Sequence, residues 1–171
     1  MLKTKIAVLI SGGGTNLQAI IDFAKSGGLK SGELALVVSD KAGAYGLTRA
    51  EKASIPTLVI AADKSLEITA RKAKFEAELQ SALEAAGIEM IVLAGFMRIL
   101  SADFVSKWEN RIINVHPSLI PSFCGEGFYG LKVHEAALAY GVKVTGATVH
   151  FVNEVPDGGS IIYQKALIHN P

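Results

Sequence analysis

The most constraining feature of this chain is an alternation. Short apolar runs rich in Val and Ile are separated by longer stretches whose apolar residues recur at helical spacing. Residues 6–10, 34–39, 57–61, 90–94 and 111–115 read as buried strands, and 16–25, 45–53, 66–86 and 102–108 as helices, with Gly87 placed to end the third helix. Strand, helix and buried strand in succession call for parallel crossovers. The expected fold class is therefore α/β, a doubly wound and mostly parallel sheet of Rossmann-like type. The last third changes character. A helix over 131–140 is followed by extended runs at 144–152 and 160–167, joined by 153–159, which reads as an antiparallel C-terminal strand pair.

The chain's 171 residues fit one domain of ordinary size, and no repeat or linker divides it, so 1–171 is expected to be a single domain. Lys plus Arg number 17 and Asp plus Glu 16, which leaves no net field to hold a nucleic-acid backbone or an anionic membrane. Small molecules are the expected partners. The one cysteine, Cys124, cannot close a disulfide within the chain, and no Cys/His cluster has zinc-site spacing, so a reducing cytoplasm and no metal are expected. The N-terminal apolar run is too short, and wrongly bounded, for a signal peptide or membrane span.

The segment Ser11-Gly12-Gly13-Gly14-Thr15-Asn16 follows the first strand and opens the first helix. Backbone N–H groups and the positive helix end would converge there on an anion, most naturally a phosphate. The alternative is a bare glycine turn. No Gly-Lys-Ser/Thr follows, so this is not a P-loop, and Leu17 stands where a dinucleotide fingerprint needs its third glycine. Asp40, ending the second strand, is the one residue in favour of a dinucleotide.

Asn114 and His116 lie two apart at a strand end, so their side chains share one side, and Pro117 and Pro121 hold the following backbone in extended or turn geometry. An amide and an imidazole at the carboxyl end of a strand can address one reacting centre. Asp157 sits in a loop with Gly158 and Gly159 where a carboxylate could orient or charge-pair with a histidine; a plain turn Asp is the alternative. The segment Gly95-Phe96-Met97-Arg98-Ile99-Leu100 suits a flat, partly apolar ligand, against the alternative of a buried connection with an outward-reaching Arg98. His134, His150 and Cys124 have no partner nearby in sequence and read as structural.

These pieces resemble the folate-dependent phosphoribosylglycinamide formyltransferase family of purine biosynthesis over essentially the whole chain. The likeness rests on Ile-Ser-Gly-Gly-Gly-Thr-Asn at 10–16, Leu-Ala-Gly-Phe-Met-Arg-Ile-Leu at 93–100, Asn-Val-His-Pro-Ser-Leu-Ile-Pro at 114–121, Val-His-Phe-Val at 149–152 and Asp157-Gly158-Gly159. The resemblance implies 10-formyltetrahydrofolate as formyl donor and glycinamide ribonucleotide as acceptor. It assigns Gly13, Gly14, Thr15 and Asn16 to the substrate phosphate. Met97, Arg98, Ile99, Leu100, Asn114, Val155 and Asp157 go to the folate, and Asn114, His116 and Asp157 to catalysis. It implies no metal, and a homodimer is compatible with it.

Two departures stand out. The family continues past the last strand into a helical segment bordering the phosphate, which a chain stopping at Pro171 is expected to lack, and Val155-Pro156 precedes Asp157. The Asn-x-His-Pro-Ser-Leu-x-Pro element is common to the wider formyltransferase group. It leaves open a formyltetrahydrofolate deformylase, against which stands the lack of a preceding regulatory domain, and a methionyl-tRNA enzyme, against which stands the near-neutral charge. A nucleotide-binding module without catalysis is the reading from a different class.

Overall fold

The computed structural model describes residues 2–168, so the end of the chain at Pro171 lies outside them. The chain forms two compact units that divide after Arg98.

In the first unit, β1 (Thr4–Ile10) is buried at five successive positions from Ile6 to Ile10, which requires cover on both faces and a neighbour on each edge. It has both neighbours. Parallel partners flank it, β2 (Gly32–Ser39) on one side and β4 (Met90–Leu93) on the other, while β3 (Thr57–Val59) extends β2. The order is β3-β2-β1-β4: the chain runs outward from β1 and then returns to β1's other edge. That reversal is what makes the sheet doubly wound, and it falls at β1.

The intervening helices turn apolar stripes inward. In α1 (Thr15–Lys25) Leu17 and Ile21 are buried one turn apart. In the longer α3 (Ile68–Ala85) Phe75, Leu79 and Leu83 repeat every four residues, and the helix stops before Gly87 at φ 65°. Between β2 and β3 lies α2 (Tyr45–Lys52).

The second unit begins with α4 (Ala102–Lys107), whose N-cap Ser101 accepts a hydrogen bond from the Phe104 N–H. Next come β5 (Ile112–His116), α5 (Leu131–Tyr140), β6 (Val144–Phe151) and β7 (Ile161–Ile168). The expected antiparallel pairing of β6 with β7 is present, and β6 also runs antiparallel to β5. In β6, Gly146, Thr148 and His150 are buried at a period of two. This alternation puts the three on one face of the strand.

Candidate active site

The register of β5 against β6 sets Asn114 opposite His150 and His116 opposite Thr148. Sequence-distant groups meet as a result. Asn114 Nδ2 lies 3.2 Å from His150 Nε2, and the loop after β6 brings Asp157 to both histidines, with Oδ2 3.4 Å from His116 Nδ1 and Oδ1 3.6 Å from His150 Nε2. Both imidazoles are almost completely buried, and the Asp157 side chain is 13% exposed. Asp157 reaches this place in a left-handed conformation, φ 55°, which Asp tolerates better than most residues. Gly159 is needed beside it, because a Cβ there would overlap the Phe151 carbonyl oxygen.

Burial alone would push the Asp157 carboxyl up. A protonated His150, which turns an Nε2–H toward Asp157, the Gly125 N–H donating at 2.9 Å, and the charge of His116 outweigh burial and hold it below its ordinary value. Asp157 is therefore a fixed anion. His116 faces acceptors at both nitrogens, the Phe123 carbonyl at 2.8 Å from Nε2 and Asp157 at Nδ1, so it donates at both only as an imidazolium. His150 Nδ1 is 2.8 Å from the Phe151 carbonyl. With a proton there, Nε2 of the neutral ring accepts from Asn114; a second proton would turn Nε2 toward Asp157.

A polar scaffold holds the backbone after His116. The fully buried Thr148 hydroxyl donates to the Ser118 carbonyl at 2.7 Å and accepts from the Ile120 N–H at 3.1 Å and from Gln164 Nε2 at 3.0 Å. Ser118 Oγ donates to the Ser122 carbonyl at 2.5 Å. Phe123, the partner of His116, is thus held by the same turn.

The glycine loop lies in the first unit. Gly14 is left-handed, φ 71°, and α1 starts at Thr15 with no side-chain cap, so the amides of its first turn have no carbonyl within the helix to bond. Gly13, Thr15 and Asn16 are exposed. Nearby, the Met97 N–H donates to Ser11 Oγ at 2.9 Å, which ties the segment after β4 to the start of the loop.

Arg98 does not simply reach outward. Its Nε donates to Asp40 Oδ2 at 3.0 Å, its guanidinium lies 4.5 Å from the Phe75 ring centroid, and Phe75 stacks on Phe96. Asp40, the residue that kept a dinucleotide reading open, gives its Oδ2 to this ion pair, while its buried Oδ1 has no hydrogen-bond partner among the described residues. In the second unit, Ile99 and Val155 are exposed and Leu100 is buried.

Sequence reasoning missed His150. No near neighbour in sequence marks it, and its signal lay in strand register, opposite Asn114. Cys124 keeps its structural reading: its thiol donates to the Pro121 carbonyl at 3.3 Å, and burial together with the Asp157 charge pushes it up, against a thiolate nucleophile. His134 lies in α5. Among the described residues no group of three His, Cys, Asp or Glu is arranged to hold a metal ion, and no helix is long and apolar enough to cross a membrane.

A family model described as formyl transferase matches residues 4–169. The trifunctional purine biosynthetic protein adenosine-3 of Gallus gallus is 49% identical over 165 residues, 96% of this chain and 16% of that protein. This chain thus spans about a sixth of the length of that relative. Phosphoribosylglycinamide formyltransferase of Haemophilus influenzae is 42% identical over 94% of this chain and 71% of its own length. Among solved structures, glycinamide ribonucleotide transformylase 1 from Geobacillus kaustophilus superposes with a TM-score of 0.87 at 38% identity, covering 99% of this chain and 85% of that one.

Proposed function

Because the chain belongs to the formyl transferase family, we propose that it carries the formyl group of 10-formyltetrahydrofolate to the amine of glycinamide ribonucleotide, giving formylglycinamide ribonucleotide and tetrahydrofolate in purine biosynthesis. The observation that supports this most is the Asn114, His116 and Asp157 cluster, an amide, an imidazole with acceptors at both nitrogens, and a carboxylate held ionised.

The amine attacks the formyl carbon directly. A C–N bond forms to the substrate, negative charge gathers on the formyl oxygen, and the bond to the folate nitrogen then breaks. Asn114 and protonated His116 donate to that oxygen. Asp157 balances the imidazolium and, with His116, passes the proton lost by the attacking amine to the departing nitrogen. His116 Nε2 is engaged by the Phe123 carbonyl, so this nitrogen acts on substrate once that carbonyl gives way.

In the same reading Gly13, Gly14, Thr15 and Asn16 take the phosphate. Met97, Arg98, Ile99, Leu100, Asn114, Val155 and Asp157 take the folate. Residues 1–171 act as one catalytic domain in the cytoplasm, and sedimentation decides between monomer and homodimer.

The test is formyl transfer from 10-formyltetrahydrofolate to glycinamide ribonucleotide, with tetrahydrofolate and free formate both followed, in the wild type and His116→Ala. Amine-dependent turnover without free formate, reduced about 10²- to 10⁴-fold in the variant, is the expected result. Formate released without the amine would make the protein a hydrolase instead, and unchanged turnover in His116→Ala would remove His116 from the chemistry.

A further inference from the structure

Holding the carbonyls of the glycine loop to one side turns its amides to the other. Three in succession are held. Gly12 O accepts from the Gly46 N–H at 3.0 Å, Gly13 O from Arg49 Nε at 2.8 Å, and Gly14 O from the Gln18 N–H at 2.9 Å. The first two donors belong to α2 and the third to α1. In a trans peptide the carbonyl and the next N–H point in opposite directions. Fixing these three carbonyls therefore turns the N–H groups of Gly13, Gly14 and Thr15 away from the groups that hold them.

Two glycines make the approach of α2 this close. A Cβ on Gly14 would lie 2.7 Å from Gly46 Cα, and one on Gly46 would overlap Ile10 Cδ1. Arg49 is braced as well as bonded. Its Nη1 donates to Gln18 Oε1 at 3.1 Å, and its guanidinium lies 5.0 Å from the Tyr45 ring centroid. Residues 11–16 contain no charged side chain of their own, so Arg49 also brings a cation to the loop.

We propose that Arg49 is a positioning residue for the phosphate site: its Nε bond to the Gly13 carbonyl sets the Gly13–Gly14 peptide so that the Gly14 N–H faces the anion. The proposal rests on the phosphate reading of the glycine loop given above. A lysine would keep the charge but not the fixed geometry of the guanidinium fork, so Arg49→Lys separates orientation from charge.

The experiment is calorimetric binding of glycinamide ribonucleotide, and of the same nucleoside without its phosphate, to wild type, Arg49→Lys and Arg49→Gln, with melting temperatures recorded for each. Both variants are expected to melt like the wild type and to bind the ribonucleotide about tenfold more weakly. Binding of the nucleoside should not change. In turnover, KM for the ribonucleotide should rise while KM for the formyl-folate and kcat hold.

Full recovery in Arg49→Lys would overturn positioning in favour of charge alone. Wild-type affinity in Arg49→Gln, or equal weakening toward both ligands, would overturn any role toward the phosphate. A wild type that binds the ribonucleotide without formylating it would sink the proposed function and leave this inference to be judged by binding. A wild type that binds ribonucleotide and nucleoside alike would sink the phosphate site itself.

Discussion

Asn114 and His150 face each other across β5 and β6, and the amide nitrogen of one lies 3.2 Å from the ring nitrogen of the other. The same ring nitrogen is 3.6 Å from Asp157, so His150 touches two of the three groups assigned to the chemistry. Replacing it by Ala should lower kcat by about tenfold or more through misplacement of Asn114 and Asp157, and, because the ring is buried, lower thermal stability as well. A carboxyl-resonance NMR titration provides a second reading. Without the His150 hydrogen bond that lowers it, Asp157 should titrate at higher pH than in the wild type. An unshifted titration with full kcat would reduce His150 to a filler of the core.

Asp157 also makes stability depend on acid. Its carboxyl is held below the ordinary 3.8, so the folded state favours the anion. The resulting stability is present above that value and is lost as the pH falls through the folded-state value. In Asp157→Asn this acid-sensitive part should be missing. Urea midpoints measured from pH 6 down to pH 3 should therefore fall less steeply in the variant than in the wild type.

Asn114→Ala removes a donor aimed, in the proposed chemistry, at developing negative charge on the formyl oxygen. It should lower kcat by about 10²- to 10³-fold, the size seen when an oxyanion donor is deleted, while KM for the ribonucleotide changes little. A variant whose only defect is a raised KM would assign Asn114 to binding.

Much of this was legible in the sequence. Two buried runs, 6–10 and 34–39, fall within β1 and β2, the helix at 131–140 is α5, and the extended pair after it is β6 and β7. Periodicity reports burial directly, and burial is what these elements share. Partners chosen in three dimensions left no such trace. His150 finds Asn114 through strand register, Arg98 finds Asp40 from 58 residues away, and Arg49 reaches Gly13 across 36. The Phe123 carbonyl that engages His116 is a backbone group, and no residue identity announces it.

Thr148→Val preserves the shape of a buried side chain and deletes its hydroxyl, leaving the Ile120 N–H without its acceptor and the Ser118 carbonyl without its donor. The expected loss is about 1–3 kcal/mol of unfolding free energy, measured by urea denaturation. Turnover should fall as well, because the backbone that leads on from His116 through Ser118 and Ile120 loosens. Unaltered stability together with unaltered kcat would show the hydroxyl to be dispensable.

The period of two along β6 gives one strand three tasks. Gly146 admits the backbone of β7, Thr148 holds the turn after His116, and His150 joins the cluster with Asp157. Thr148 and His150 depend on one reading frame against β5, Gly146 on the frame against β7. Deleting or inserting one residue between Thr148 and His150 would leave one of the two on the wrong face. Diversity introduced into this protein by length variation will therefore be rejected between Thr148 and His150, however conservative the inserted residue. Substitutions at the intermediate positions 147 and 149 leave that frame intact, so this stretch can be edited letter by letter but not shifted.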